Sequence, residues 1–340
     1  MARKKRINLA LQGGGAHGAF TWGVLDRLLD DEDIEIAAIS GTSAGALNGA
    51  AFKSGWMTGG REGAREMLDW LWGNMGAIKD LRLPAWMAAQ TPFSQAFSDL
   101  MEFSPPYLFA DAMTRMVSPY AYGPFYRNPL DPVVAKFNFD KVRAPGGPRL
   151  YIGATNVHTG KIRVFTGSDI STASILASAC LPTLFQAVEI DGAHYWDGGY
   201  SGNPALFPLF GKALPNDILI VNINPLEREE VPRDPQEIQN RINEISFNSS
   251  LLRELRAISF VQRLIGEGTI PQGSMKEVYV HMVSDDAMMR ELSVATKLMP
   301  SPYTLGKLKA AGRAAADAFL AAHRGDLNRR GTTDLAAMFG

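Results

Sequence analysis

The amino-terminal part of the chain contains one pattern twice: an apolar run, a glycine-rich turn and a helical segment. Ile7–Gln12 predicts a short buried strand, and the glycines after it lead into a helix around Ala19–Leu29. Ile34–Ser40 predicts a second strand, and Gly41–Gly45 then turns the chain into the small-residue helix Ala46–Ser54. Two consecutive strands joined by a helix favour a parallel sheet that is covered on both faces.

The later part of the chain adds strands and two long helices. The strand at Arg149–Val157 is joined by a tight turn to Lys161–Thr166, which makes the predicted sheet mixed, although mainly parallel. Further strands are predicted at Val188–Ile190, Ile218–Ile223 and Val278–Val283, and helices at Gln236–Gly266 and Tyr303–His323. The pattern therefore predicts an α/β protein.

One domain is expected over residues 1–325, followed by a C-terminal tail at 326–340 that we expect to be frayed. An irregular helical lid or insertion interrupts the domain at about 77–130. Its centre, Leu81–Arg127, is rich in aromatic and methionine side chains and is broken by prolines. Such side chains suit an acyl chain or a membrane interface, but they equally complete a core.

Composition removes several functional classes. A net charge of -1 and a pI near 6.5 give no basic field for nucleic acid, and a lone cysteine, Cys180, allows no internal disulfide. The basic residues at 3–6 precede an apolar run too short for a signal peptide, and no run reaches the ~18 residues of a membrane span. We expect a cytoplasmic protein, with peripheral attachment to a membrane surface left open. The scattered histidines predict no metal site, and the sequence does not fix the oligomeric state.

The segment Gly41-Thr42-Ser43-Ala44-Gly45 fits the nucleophile elbow, in which a serine lies on a sharp turn between a strand and a helix. Glycines on both sides remove the Cβ atoms that would collide in such a turn. The start of the helix also favours negative charge that develops near Ser43. The alternative is a glycine-rich helix entry in which Ser43 is only an N-cap.

The segment from Gln12 to Gly18 offers several backbone N–H groups at the end of the neighbouring strand. Donors of this kind stabilise the oxyanion in acyl transfer. The same glycines, Gly13, Gly15 and Gly18, satisfy the G-x-G-x-x-G pattern of dinucleotide-binding oxidoreductases. That function also requires an acidic residue at the end of the second strand, and this strand ends in Ser40-Gly41. The nucleotide alternative is therefore disfavoured.

The general base that accepts the Ser43 proton could be a histidine or an aspartate. Each of the five histidines is isolated, and His194 is the strongest of them because Asp191 and Asp197 are close in sequence. The segment Asp197-Gly198-Gly199 is more specific, since a carboxylate follows a strand and two glycines let another element pack against it. By itself this segment also fits an ordinary hairpin turn.

Together, the glycine loop, G-x-S-x-G and D-G-G, in this order, make the chain resemble the patatin-like phospholipase family. The resemblance implies a three-layer α/β/α sandwich, a catalytic dyad of Ser43 and Asp197, and an oxyanion hole at Gly13, Gly14 and Gly15. It extends from Ile7 to about Ala205 and includes the A-S-x-x-x-P-x-x-F spacing of residues 177–185.

Two further residues, His17 and Ala44, are candidates for an auxiliary role at this site. Many family members have arginine or lysine where this chain has His17, so this chain lacks their permanent positive charge at this position. A histidine with the ordinary pKa of ~6.5 would be only partly charged at neutral pH.

We therefore expect a serine acyl-ester hydrolase of the phospholipase A or carboxylesterase type, acting through an acyl-enzyme and without a cofactor. Its expected partner is a lipid or another acyl ester. A non-catalytic lipid-binding protein on the same fold is the other alternative. If a carboxylate alone is the base, the acidic limb of kcat/KM should follow a carboxylate ionisation unless burial raises its pKa.

Overall fold

A computed structural model describes residues 4–77, 118–271, 273–292, 296–297 and 300–339 of the chain. Most of the predicted insertion at about 77–130 lies outside the described residues. Its described end contains a short 3-10 segment, Pro119–Phe125.

The centre of the fold is a mixed sheet of the order β5-β6-β3-β2-β1-β7-β8, with β4 paired to β3. The pairs β1–β2, β2–β3, β1–β7 and β7–β8 are parallel, whereas β3–β4, β3–β6 and β5–β6 are antiparallel. The strands are β1 Lys5–Leu11, β2 Ile34–Thr42, β3 Arg149–Asn156, β4 Ile162–Thr166, β5 Val188–Ile190, β6 Ala193–Asp197, β7 Asp217–Val221 and β8 Tyr279–Val283. The predicted mainly parallel sheet is confirmed.

Helices cover both faces of the sheet. In the described residues they are α1 Gly18–Leu29, α2 Ala44–Ala77, α3 Asp131–Val134, α4 Phe139–Arg143, α5 Thr172–Ser178, α6 Pro235–Gly266, α7 Asp286–Glu291, α8 Pro302–His323 and α9 Leu335–Phe339. Side chains of β1 alternate between two cores: Leu9 packs in the core that includes α1, α2 and α8, and Ala10 in the core that includes α6. This is the expected three-layer α/β/α sandwich.

The topology places the ends of β2 and β6 side by side. Strand β3 pairs with β2 up to the partners Thr42 and Gly153, and with β6 from the partners Asp197 and Ala154. Because β4 occupies the other edge of β3, β2 and β6 must follow one another along the same edge. The residue after β2, Ser43, is therefore brought next to the last residue of β6.

The C-terminal segment does not show the expected fraying. The Asn328 backbone N–H donates to Asp217 Oδ1 at 2.7 Å, and Leu327 and Leu335 are buried. Helix α9 packs against α6, so residues 326–339 belong to the folded body.

Candidate active site

Ser43 lies on a tight turn between β2 and α2, with a left-handed backbone φ of 54°. Such a conformation costs a non-glycine residue roughly 1–2 kcal/mol, so the surrounding structure must enforce it. A Cβ at Gly45 would lie 2.1 Å from the Leu11 carbonyl oxygen, and one at Gly41 would lie 2.5 Å from the Gly45 carbonyl oxygen. The two glycines are therefore needed because the backbone approaches itself closely.

Ser178, the last residue of α5, holds this turn. Its Oγ accepts a hydrogen bond from the Ser43 backbone N–H at 2.9 Å and donates to the Gly153 carbonyl at 2.6 Å. Two residues further on, the Cys180 carbonyl accepts the backbone N–H of Asp197 at 2.7 Å. The segment 177–185 thus positions both Ser43 and Asp197, a role that its sequence spacing did not reveal.

Asp197 has no solvent exposure. Its Oδ1 accepts the Gly199 backbone N–H at 2.8 Å, and its Oδ2 has no hydrogen-bond partner among the described residues. Burial raises the pKa of this carboxyl from its ordinary 3.8 to about 7, and the Gly199 N–H and the Ser43 side chain oppose the rise. The Ser43 hydroxyl is therefore near enough to affect the carboxylate, although no hydrogen bond of regular geometry reaches Oδ2.

The glycines after Asp197 permit close packing on both sides. A Cβ at Gly198 would lie 2.2 Å from the Gly153 carbonyl oxygen, and one at Gly199 would lie 2.3 Å from the Phe247 ring. This arrangement differs from an ordinary hairpin turn, because β6 ends at the sheet and the following turn is pressed against β3 and α6.

The glycine loop lies directly beside Ser43. A Cβ at Gly13 would approach the Ser43 Cβ to 2.7 Å. The Gly13 N–H already donates to Asn203 Oδ1 at 2.6 Å, whereas the N–H groups of Gly14 and Gly15 have no acceptor in the described part of the chain. Ala44 begins α2, so its N–H also lacks an intrahelical acceptor. In the described part of the chain, the glycine loop and the start of α2 therefore contain three backbone N–H groups without a protein acceptor.

A buried network of hydrogen bonds holds the glycine loop in place. The Gln12 side-chain oxygen accepts the backbone N–H groups of Ile223 and Asn224 at 2.9 and 3.1 Å. The Asn224 side chain donates to the Gly13 carbonyl at 2.8 Å, and Asn203 binds the Gly13 N–H. The Asn203 and Asn224 side chains come from distant parts of the sequence, and no local pattern marked them.

The three glycines of the dinucleotide pattern are packed against protein. A Cβ at Gly15 would lie 2.3 Å from the Lys297 carbonyl oxygen, and one at Gly18 would lie 2.6 Å from the Ala44 Cβ. Together with the contact of Gly13 with Ser43, these neighbours explain the glycines without a bound pyrophosphate.

His17 is buried, and its Nε2 lies 2.8 Å from Thr296 Oγ1. Burial, and to a lesser degree the charge of Lys297, hold the pKa of His17 well below 6.5. The side chain is therefore neutral at pH 7, which corrects the expectation of partial charge. The positive charge near the loop belongs to Lys297, whose Nζ donates to Asn224 Oδ1 at 3.0 Å.

The other histidines make contacts away from the dyad. His194 and Asp197 are three residues apart on β6, so their side chains point to opposite faces; the ring of His194 packs against His158. His281 lies 3.0 Å from Asp217, which begins β7 at the opposite end of the sheet, and His323 lies 3.2 Å from Asp326. None of these contacts involves Ser43.

The described residues hold no group of three or more histidine, cysteine, aspartate or glutamate side chains that could bind a metal ion. None of their helices combines the length and apolarity that crossing a bilayer requires.

The fold and the site define an α/β/α protein with a serine on a strained turn beside a buried carboxylate. Residues 9–210 match the Patatin-like phospholipase family model. The chain therefore belongs to the patatin-like phospholipase family, whose members are lipid acyl hydrolases. A comparison with curated proteins gives no significant match.

Solved structures give distant matches. VipD from Legionella pneumophila matches with a TM-score of 0.45 and 13% identity over 94% of this chain and 67% of VipD. A chain of the heterodimeric ExoU–SpcU complex from the type III secretion system of Pseudomonas aeruginosa matches with a TM-score of 0.32 and 19% identity. That match covers 95% of this chain and 64% of the other.

Proposed function

We propose that the protein hydrolyses lipid acyl esters, with Ser43 as nucleophile and Asp197 as general base. The observation that carries the proposal is the pairing of a serine held at positive φ with a fully buried carboxylate. Its second oxygen has no hydrogen-bond partner of regular geometry among the described residues, and the Ser43 side chain lies near enough to lower its pKa. An uncompensated buried carboxylate is costly, and strain and perturbed pKa values concentrate at functional sites.

In the first half-reaction, the Asp197 carboxylate accepts the hydroxyl proton while Ser43 Oγ bonds to the ester carbonyl carbon. A carboxyl with a pKa of about 7 is a stronger base than an ordinary aspartate and is still substantially ionised at neutral pH. The carbonyl π electrons move to oxygen and form a tetrahedral oxyanion. Collapse of this intermediate breaks the bond to the alcohol, which takes the proton from Asp197 and leaves Ser43 acylated.

The second half-reaction repeats these steps with water. Asp197 accepts a proton from water as the water oxygen attacks the acyl carbon, and the proton then passes to Ser43 Oγ as the acid departs. In both halves the N–H groups of Gly14 and Gly15 supply the oxyanion hole, with Ala44 as a third donor. Gly13 has another role: its N–H is already occupied, but its lack of a Cβ lets the loop reach Ser43.

The substrate we propose is a lipid or another ester with an extended acyl chain. Tyr200, three residues after the base, is 40% exposed and packs on Phe247 of α6 at a ring distance of 5.3 Å. An aromatic surface next to the base suits an acyl chain. Phospholipase A or carboxylesterase specificity, a cytoplasmic location and peripheral contact with a membrane are further parts of this proposal.

The test is turnover of p-nitrophenyl esters from acetyl to palmitoyl and of phosphatidylcholine in mixed micelles. The wild-type protein is compared with Ser43→Ala and with Ser54→Ala, a buried serine in α2 that serves as a matched control. We expect turnover that favours longer chains, retained in Ser54→Ala and lost in Ser43→Ala. Turnover that survives in Ser43→Ala contradicts the nucleophile. Lipid binding without turnover supports the non-catalytic alternative, and activity on acetyl esters alone removes the lipid substrate.

A further inference from the structure

We infer that Lys297 is a positioning residue of the oxyanion loop: through Asn224 its ammonium group fixes the Gly13 carbonyl and so orients the amides of Gly14 and Gly15. The inference rests on the proposed function. Lys297 lies outside residues 9–210, the part of the chain that matches the family model.

The first support is a chain of two hydrogen bonds. Lys297 Nζ donates to Asn224 Oδ1 at 3.0 Å, and Asn224 Nδ2 donates to the Gly13 carbonyl at 2.8 Å. A charged donor on the amide oxygen polarises the amide and strengthens the bond made by its N–H group. The Gly13 carbonyl belongs to the peptide unit that contains the Gly14 N–H, so fixing this carbonyl also fixes the direction of the first proposed oxyanion donor.

The second support is contact between the same short segment and the loop. The Lys297 carbonyl is so close to Gly15, at a positive φ of 60°, that a Cβ there would lie 2.3 Å away. The neighbouring Thr296 meets His17 through its hydroxyl at 2.8 Å. Residues 296–297 therefore touch the loop at Gly15 and His17, and through Asn224 at Gly13.

The third support is the charge itself. The hydrogen bond of Lys297 to Asn224 engages a neutral amide, whereas the nearby Glu244 is paired with Arg228 and Arg241. Glu244 raises the pKa of Lys297 and Arg228 lowers it, but burial has the largest effect and lowers it to about 8. With His17 neutral, Lys297 provides positive charge one amide away from the proposed oxyanion hole, where such charge stabilises the transition state.

The test is a pH profile of kcat and KM for one ester in the wild-type protein, Lys297→Met and Lys297→Arg. Lys276→Met is the matched control, because Lys276 Nζ binds three backbone carbonyls, at Leu209, Gly211 and Leu214, and its pKa is also lowered to about 8. We expect Lys297→Met to lower kcat on the order of tenfold at neutral pH with little change in KM, because only the oxyanion donors are disturbed.

The wild-type profile should fall by a similar factor above about pH 8 and reach a plateau, as the ammonium loses its charge. This step should vanish in Lys297→Met, move to higher pH in Lys297→Arg because a guanidinium stays charged, and persist in Lys276→Met. A step near pH 8 that persists in folded Lys297→Arg or Lys297→Met overturns the inference, as does its loss in Lys276→Met. Labelling of wild-type Ser43 by a fluorophosphonate tests the proposed function separately.

Discussion

Replacing Asp197 by asparagine should make the protein more stable while removing its general base. In the folded protein the carboxyl ionises with a pKa of about 7, whereas its ordinary value is 3.8. Below pH 3.8 the carboxyl is protonated in both the folded and the unfolded state, so ionisation of Asp197 does not lower the stability of the fold. As the pH rises to about 7, the unfolded chain releases the proton and the folded protein retains it, so stability falls progressively. Above about pH 7 the folded protein bears the full free-energy cost of the buried charge.

The size of this cost follows from the two pKa values. Each tenfold change in an acidity constant corresponds to 1.36 kcal/mol, so the difference between 3.8 and about 7 gives about 4 kcal/mol. An asparagine carries no charge at any pH, and its side-chain oxygen can still accept the Gly199 N–H. We therefore expect Asp197→Asn to exceed the wild type in unfolding free energy by up to about 4 kcal/mol near pH 8, with the advantage vanishing near pH 4.

Urea unfolding at these two pH values measures the difference, and Asp217→Asn is the control. Asp217 is equally buried but well partnered, since it accepts from His281 and from the backbone and side chain of Asn328. The same substitution there should destabilise the protein by about 1.5–3 kcal/mol, the range for hydrogen bonds to charged groups. If Asp197→Asn is less stable than the wild type near pH 8, or its advantage does not depend on pH, the carboxylate is not the uncompensated buried charge that the geometry indicates.

Two substitutions test the framework around the nucleophile. Ser178→Ala leaves the Ser43 N–H and the Gly153 carbonyl unpaired, so it should lower the unfolding free energy, measured in urea, by about 2–4 kcal/mol and slow fluorophosphonate labelling. The control Ser54→Ala removes one hydrogen bond, from the Asn138 N–H, and a loss in Ser178→Ala no larger than in this control contradicts the role of Ser178. Gly13→Ala places a Cβ 2.7 Å from that of Ser43 and should abolish ester turnover, even where circular dichroism shows a folded protein; wild-type turnover would show that the loop is not held against the nucleophile.

Local patterns were sufficient for most of the fold. Strand β5 has the predicted bounds, and β1, β2, β3, β4, β7 and β8 begin and end within two residues of their predictions. The long helices α6 and α8 each begin one residue before the predicted start. Short helices such as α5 and α7 were not predicted, because six or seven residues show too little periodicity.

The site was predictable only in part, for a physical reason. Ser43 and Asp197 carry glycines beside them, and the need for close backbone approach leaves a trace in the sequence. Ser178, Asn224 and Lys297 act through a few hydrogen bonds to residues far away in the sequence, and such contacts leave no local pattern. The sequence likewise did not indicate that the Gly13 N–H is occupied, because its acceptor Asn203 lies far along the chain.

The raised pKa of Asp197 also changes how the base can be identified. A histidine base usually gives an acidic limb near ~6.5, and the pKa of Asp197 is about 7, so the position of the limb does not separate the two. An aspartate base and a histidine base therefore have to be distinguished by substituting Asp197 and His194. The geometry favours Asp197 because His194 points to the opposite face of β6.

The most direct measurement of the dyad is the rate at which a fluorophosphonate labels Ser43 in the wild type, Asp197→Asn and His194→Ala, followed from about pH 5 to 9. We expect a wild-type rate that rises with pH through about pH 7, an unchanged profile in His194→Ala, and a rate lower by ~10²–10⁴ in folded Asp197→Asn. Labelling of Asp197→Asn at the wild-type rate, or its loss in folded His194→Ala, would contradict the dyad.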